Sequence, residues 1–396
     1  MKNTNTITYP LTADSWGREE LISINNVVKS NRFTMGDNVK KFENDFSNFF
    51  KVKYSVMVNS GSSANLLMIA ALFFRKKNKF KAGDEIIVPS VSWGTTFFPL
   101  TQYGLKCVFV DISLETLNIN EELIEKSISK KTKAVFVVNL LGNPANFKLI
   151  NKIAKKYNLL VIEDNCESLG AVYNNKYTGT IGEMGSFSFF FSHHLQTIEG
   201  GMICTNNRNL YEIIVSLRAH GWLRDLPSNN SIYKKSGNNF KDSFKFILPG
   251  YNLRPSEING AIGIQQLKKL NTFLKQRNRN AKAFKSLFGD SDYLTIQKEI
   301  GKSSWFGFGI VLKGKLKNKR DELIKLLNKK NIETRPIVAG NFLKNPVIKF
   351  INHRKSGKMK NAEYIHKNGF FVGNDHRDLS SQLKILKKTI EDFSQK

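Results

Sequence analysis

The chain has 396 residues, 41% hydrophobic and 24% charged, and Lys plus Arg outnumber Asp plus Glu 61 to 33, a formal net charge of +28 at pH 7. That length exceeds one ordinary domain, and that balance excludes a disordered or fibrous chain. The positive charge attracts anions, but the Lys residues are scattered, so it does not by itself mark a nucleic-acid or membrane surface.

Taken in chain order, short apolar runs alternate with helical periods. Residues 55–58 read as a strand, 62–75 as a helix, 85–89 as a strand, 94–102 as a helix and 106–111 as a strand. An acidic helix start follows at 120–128, then a strand at 134–138, a helix at 146–157 and a strand at 159–163. Continuous apolar strands between helices predict a mostly parallel sheet covered on both faces. After residue 180 the rhythm changes. Residues 186–191 and 202–205 have no long helix between them, which predicts a strand pair at the far side of the sheet with one member antiparallel. Residues 210–219 are helical, and 223–245 form a polar loop long enough to suggest function or mobility. A long amphipathic helix runs from 255 to about 288. The remainder, with a strand near 305–313 and helices at 319–330 and 380–395, predicts a smaller α+β domain. The expected division is 1–255 and 256–396.

Three cysteines, Cys107, Cys166 and Cys204, are too few and too widely spaced for a disulfide framework or a CxxC zinc site, and point to a reducing compartment. The opening MKNTNTITYPLTADSWG has no apolar stretch of a secretory signal, and no apolar run approaches the roughly 18 residues that span a bilayer. A cytoplasmic protein without a membrane partner is expected.

Five segments could carry chemistry. Asn59 to Asn65 (NSGSSAN) lies between a buried strand and a helix. Backbone N–H groups at Gly61 and the Ser62 hydroxyl could meet an anion there, or the segment could be a plain Ser cap with a Gly turn. Ser92 to Thr96 (SWGTT) follows the next strand; Trp93 could stack on a flat ring or be a core Trp. Val161 to Gly170 (VIEDNCESLG) ends an apolar strand in Glu163 and Asp164, at the strand edge where open α/β sheets bind ligands. A carboxylate there can pair with a ring cation or simply cap the next turn. Ser186 to Gly201 delivers His193 and His194 from an aromatic strand into a loop. Adjacent strand side chains point opposite ways and no third ligand is near, so no metal site is expected. Gly250 to Pro255 (GYNLRP) precedes the long helix. A phosphate turn, an aromatic plate, a strand-end Asp and a reactive loop together suit a pyridine-ring phosphate cofactor, whose ring the Asp keeps protonated as an electron sink.

The order of these segments resembles the fold-type I pyridoxal-phosphate enzymes, specifically the DegT/DnrJ/EryC1/StrS sugar aminotransferase family. The resemblance runs from about residue 12 to 395. It is carried by GSSAN at 61–65, SWGTT at 92–96, EDNCESLG at 163–170, SFFFSHHLQTIEGG at 188–201, GYNLRPSEINGAIG at 250–263 and SSWFGFGI at 303–310. It implies an α/β, aspartate-aminotransferase-like fold, with a large mostly parallel sheet domain and a small α+β C-terminal domain. It also implies a homodimer with shared active sites. By the same resemblance Asp164 meets the ring nitrogen and Trp93 stacks on the ring. Gly61, Ser62, Ser188 and, from the other subunit, Asn252 hold the phosphate, and Glu167 lies near the ring hydroxyl. Ser192 and His194 flank the site, and Arg254 and Arg335 are candidates for anionic substrate groups.

One departure governs the chemistry. Most of the family places a lysine, bonded to the cofactor, where this chain has His193, and no Lys occurs between Tyr177 and Tyr233. A lysine amine is both nucleophile and base. An imidazole moves protons near neutral pH but forms no stable imine. Pyridoxal 5'-phosphate or pyridoxamine 5'-phosphate would therefore be held noncovalently. This is similar to the branch of the family that removes the C3 hydroxyl of nucleotide-linked 4-keto-6-deoxy sugars for surface polysaccharides. The resemblance implies that L-glutamate supplies the amine, His193 is the catalytic residue carrying protons, and ammonia leaves with a 3-deoxy sugar. One type within that branch carries an iron–sulfur cluster; four thiolates are the usual demand and this chain has three cysteines, so no cluster is expected. Two other readings are an aminotransferase that leaves nitrogen on the sugar, and a non-catalytic basic scaffold that binds cofactor or nucleic acid. Retention of Asp164, Trp93 and the phosphate turn argues against the scaffold, so no nucleic-acid partner is expected.

Overall fold

The computed structural model describes residues 8–395. Two helices, α1 (Arg18–Ser30) and α2 (Asp37–Phe50), open the described chain; the sequence reading placed nothing there. Strand and helix then alternate through β1 (Tyr54–Val58), α3 (Gly61–Phe74), β2 (Glu85–Pro89), α4 (Gly94–Gln102), β3 (Lys106–Val110), α5 (Ile124–Ser127), β4 (Thr132–Val138), α6 (Phe147–Tyr157) and β5 (Leu160–Asp164). A small hairpin, β6 (Val172–Tyr173) and β7 (Lys176–Tyr177), leads to β8 (Met184–Ser188), β9 (Gly201–Thr205), α7 (Arg208–Arg218) and the short α8 (Asn239–Ser243). Helix α9 (Glu257–Phe288) carries the chain into β10 (Leu294–Ile296), β11 (Gly307–Leu312), α10 (Arg320–Lys329), β12 (His353–Lys355), α11 (Lys360–Asn368), β13 (Gly369–Gly373) and α12 (Ser380–Ser394).

The large sheet has eight strands in the order β1-β9-β8-β5-β4-β2-β3-β12. Strand β9 pairs antiparallel with both neighbours, and the other pairs are parallel. The loop joining β8 to β9 contains no helix, and a parallel return would need a crossover. The antiparallel strand expected after residue 180 is therefore present, but β1 covers it and forms the edge. Strands β2, β8 and β9 are buried along their whole length, because helices lie on both sheet faces. Alternation assigns the side chains. Ile86, Phe136 and Ile162 face α3, α4 and α7, whereas Ile87, Val135 and Val161 face α6.

Helix α9 joins the layers. Ile264, Leu267 and Leu270 pack with Phe42 and Phe46 of α2, and Phe284 and Phe288 enter the core of the second sheet. That sheet, β10-β11-β13, is antiparallel, and Leu323 of α10 with Leu383 and Leu386 of α12 share its core. The C-terminal part also returns to the large sheet: β12 pairs with β3, anchored where Arg354 donates to both Glu85 oxygens at 2.9 and 2.7 Å. Among the described residues, no helix is long and apolar enough to cross a membrane.

Candidate active site

The strands that run one way end at one edge of the large sheet. The turns there hold Asn59–Asn65, Ser92–Thr96 and Asp164–Glu167, and the chain leaving β8 adds Ser188–His194. Helix α3 begins because Ser60 caps it, accepting from Ser63 N at 3.1 Å. Gly61 follows at the positive end of the helix dipole. A Cβ there would lie 2.6 Å from Ser188 Cβ and 3.0 Å from Cys166 Sγ, so glycine keeps open a cradle where three segments converge. Ser62 is exposed, and its Oγ donates to Thr95 Oγ1 at 3.1 Å, which ties the starts of α3 and α4 together.

Beside this cradle Asp164 ends β5, buried and held by three donors. Asn65 Nδ2 and Thr96 Oγ1 donate to its Oδ2 at 2.8 and 2.7 Å, and Cys166 N donates to Oδ1 at 3.2 Å. These donors are themselves fixed: Asn65 Oδ1 accepts from Ser186 Oγ at 2.7 Å, and Thr96 Oγ1 pairs with Ser92 Oγ at 2.8 Å. A carboxylate offers about four acceptor positions, so Asp164 keeps room for one more donor. The sequence reading quoted the segments containing Asn65, Ser92, Thr96 and Ser186 but gave these residues no role; small polar side chains repeating at strand ends were the available signal. Glu163 points to the opposite face, where Gly179 N, Ile181 N and Gly182 N donate to its carboxylate at 2.6, 2.7 and 2.7 Å. Of the two neighbouring carboxylates, only Asp164 belongs to the site.

Trp93 stands at the N-terminus of α4 and is 61% exposed, so it is not a core residue. Glu167 is partly buried and accepts from Leu141 N at 2.9 Å. Burial, reinforced by nearby Asp164 and opposed by that N–H, pushes its pKa up to about 7.

The histidine loop differs from expectation. Strand β8 stops at Ser188, and residues 189–194 leave the sheet, with His193 N donating to Phe190 O at 2.8 Å. The two histidines therefore sit on a turn, and strand alternation does not separate them. Both rings flank Phe306, with centroids 5.2 Å from it for His193 and 5.9 Å for His194. His193 Nδ1 is sealed from solvent without a partner, and burial followed by the charge of Arg277 pushes the pKa of His193 down to about 4. His194 is buried, with Nε2 3.1 Å from Ser304 O, so its ring packs into the protein. Ser192 is partly buried in the turn just before them.

The remaining candidates lie further out. Asn252 is exposed and accepts from Arg254 Nε at 3.0 Å; its segment runs beside the end of β1, where Asn59 N donates to Leu253 O at 3.1 Å. Arg335 is exposed beside β13, its backbone pairing with Phe371, whose ring lies 6.4 Å from Phe306.

These residues fit a flat, phosphorylated, cationic ring. A buried carboxylate has acceptor capacity left, an exposed indole is free to stack, and a cradle that a single Cβ would fill opens at a helix N-terminus. The fold and the site together define a fold-type I pyridoxal-phosphate protein, and the chain belongs to the DegT/DnrJ/EryC1/StrS aminotransferase family, whose sequence model matches residues 14–377. It is 55% identical over 388 residues to the GDP-4-keto-6-deoxy-D-mannose 3-dehydratase of Yersinia pseudotuberculosis, covering 96% of this chain and 99% of that protein. A solved structure of the E. coli GDP-4-keto-6-deoxy-D-mannose-3-dehydratase with bound hydrated PLP is 51% identical and superposes with a TM-score of 0.95, over 97% of this chain and 99% of that one. A GDP-4-keto-6-deoxymannose-3-dehydratase with a trapped PLP–glutamate geminal diamine is also 51% identical, with a TM-score of 0.94 over 96% of this chain and 99% of that one.

Proposed function

We propose that the protein is a cytoplasmic 3-dehydratase of a nucleotide-linked 4-keto-6-deoxy hexose. By its likeness to the GDP-sugar relatives, the substrate is GDP-4-keto-6-deoxy-D-mannose and the amine donor L-glutamate. The observation that carries this reading is an imidazole, and not an amine, at residue 193, in a chain with no Lys from 178 to 233. When bound, pyridoxamine 5'-phosphate supplies a nucleophilic amine and an electron sink. Gly61, Ser62 and Ser188 would hold its phosphate, Asp164 its ring nitrogen, Glu167 its ring hydroxyl and Trp93 its ring face. Asn252 of a second copy would complete the phosphate site.

His193 then has one task, to move protons. Its low pKa leaves the ring neutral at pH 7, so it can accept a proton on a ring nitrogen and return it to the departing C3 oxygen. Because the imidazole forms no stable imine, residue 193 does not compete with an amine for the cofactor's aldehyde carbon. The net reaction balances: the sugar exchanges its C3 hydroxyl for hydrogen, and glutamate becomes 2-oxoglutarate and ammonia.

The test is mass spectrometry of the sugar product together with an ammonia assay, using the 4-keto sugar, glutamate and the cofactor. A product one oxygen lighter, with one ammonia per turnover, is expected, and His193→Asn should reduce the rate by about 10²–10⁴-fold while the cofactor stays bound. An amino sugar without ammonia would make the protein an aminotransferase. Borohydride that fixed the cofactor to the polypeptide would overturn the role given to His193.

A further inference from the structure

Arg277 lies inside α9, 3% exposed. Its Nη1 donates to Phe306 O at 3.2 Å, Trp305 O at 3.3 Å and Asn374 O at 2.5 Å, and its Nε is buried without a partner. Among the described residues no carboxylate lies within ion-pair distance of it, and Asp375, whose charge acts on it, pairs with Arg377 at 2.7 Å. A buried, unmatched guanidinium is costly, so its place calls for an explanation. The segment it grips is unusual in backbone. Trp305 has φ +49°, and it packs so closely on Gly142, φ +94°, that a Cβ on Gly142 would lie 2.4 Å from Trp305 N. Ser304 N donates to Gly142 O at 2.9 Å, Phe306 N donates to Leu141 O at 3.1 Å, and Asn374 Nδ2 donates to Trp305 O at 2.9 Å. The far side of the same segment presents the Phe306 ring to both histidines and the Ser304 carbonyl to His194.

We propose that Arg277 is a positioning residue for His193, clamping Trp305 and Phe306 so that the wall behind the imidazole stays fixed while the proton moves. The proposal rests on the reading of His193 as the proton carrier. A second effect has the same origin. The charge acting on His193 is that of Arg277 from α9; the neighbouring titratable ring on its own turn, His194, is itself acted on by His193, and Phe190 and Phe306 are apolar walls. A positive charge behind the ring favours its neutral form. Burial lowers the pKa of Arg277 only to about 10, so it stays charged at neutral pH.

The two contributions separate by substitution. Arg277→Met removes clamp and charge; Arg277→Lys keeps the charge but cannot reproduce the planar fork. The experiment is an NMR titration of histidine-labelled enzyme loaded with pyridoxamine 5'-phosphate, the His193 signal being assigned from its loss in His193→Gln, alongside kcat and KM against pH. In Arg277→Met the His193 midpoint should rise by about one pH unit or more, and kcat should fall about tenfold or more with KM for the nucleotide sugar within about threefold. In Arg277→Lys the midpoint should stay within about half a unit while kcat still falls about tenfold. An unmoved midpoint in a folded Arg277→Met overturns the charge effect, and wild-type kcat in Arg277→Lys overturns the clamp. If Arg277→Met does not fold, the Lys variant alone decides. Failure of the underlying reading would look different: His193→Gln would still turn over, whatever the titrations show.

Discussion

Two neighbouring carboxylates three positions apart, Asp164 and Glu167, sit under different conditions. Asp164 is gripped by three donors, whereas Glu167 has one N–H and a buried setting that raises its pKa to about 7. Below that pH Glu167 carries a proton that, in the role proposed for it, would be donated to the ring hydroxyl oxygen; above it the proton leaves and the donor is lost. The rate is therefore expected to fall as pH rises through about 7. Glu167→Gln carries a permanent donor of the same shape. It should show a flat profile across that range with kcat/KM within about threefold of wild type at pH 6, whereas Glu167→Ala should lose about tenfold, a modest hydrogen-bond loss. Steady-state rates from pH 5.5 to 8.5 check both. An equal alkaline fall in Glu167→Gln would assign that limb to another group.

At the scale of elements, the start of α3 forms the cradle proposed to hold the cofactor's phosphate. Three chain segments meet where Gly61 lacks a side chain. Gly61→Ala pushes a methyl group against Ser188 and Cys166, so β8 or the helix start must shift. The expected result is a pyridoxamine 5'-phosphate affinity at least about tenfold weaker by equilibrium dialysis, with a stability loss of about 1–3 kcal/mol typical of overpacking. A variant with unchanged affinity would remove the phosphate from this cradle. The early end of β8 matters in the same way. Because the strand stops at Ser188, the next six residues can wrap back and place both imidazoles on one aromatic wall.

The molecule as a whole presents a cluster of exposed aromatic side chains. Phe240, Phe244 and Phe246 are 89%, 70% and 60% exposed, all on α8 and the loop just after it, before α9. Burying a side chain of this kind contributes about 1.5–3 kcal/mol. The same loop neighbours Trp222, with the Arg224 guanidinium 3.5 Å from its ring centroid, and leads to Asn252 and Arg254. A second copy seated on this loop, as proposed above for Asn252, would cover these aromatics. Under the proposed dimer, wild type should sediment as a dimer, and Phe244→Asp combined with Phe246→Asp should shift it to monomer and abolish turnover. A fully active, dimeric double variant would place the interface elsewhere.

The sequence by itself determined the strand–helix alternation, the parallel sheet, the family and the five segments at its edge, because apolar runs, turn residues and motif order are local signals. It also exposed the substitution at residue 193, since an imidazole differs from an amine wherever it stands. Tertiary structure alone decided that Glu163 is bound on the opposite face by three backbone N–H groups, that His193 and His194 share a turn instead of alternating on a strand, and that Trp93 is open to solvent. It also brought Asn65 and Thr96 onto Asp164, and Arg277 behind the Trp305–Phe306 segment. Those pairings join residues tens of positions apart, and no local pattern records a contact made only when a 32-residue helix and two sheets close on each other.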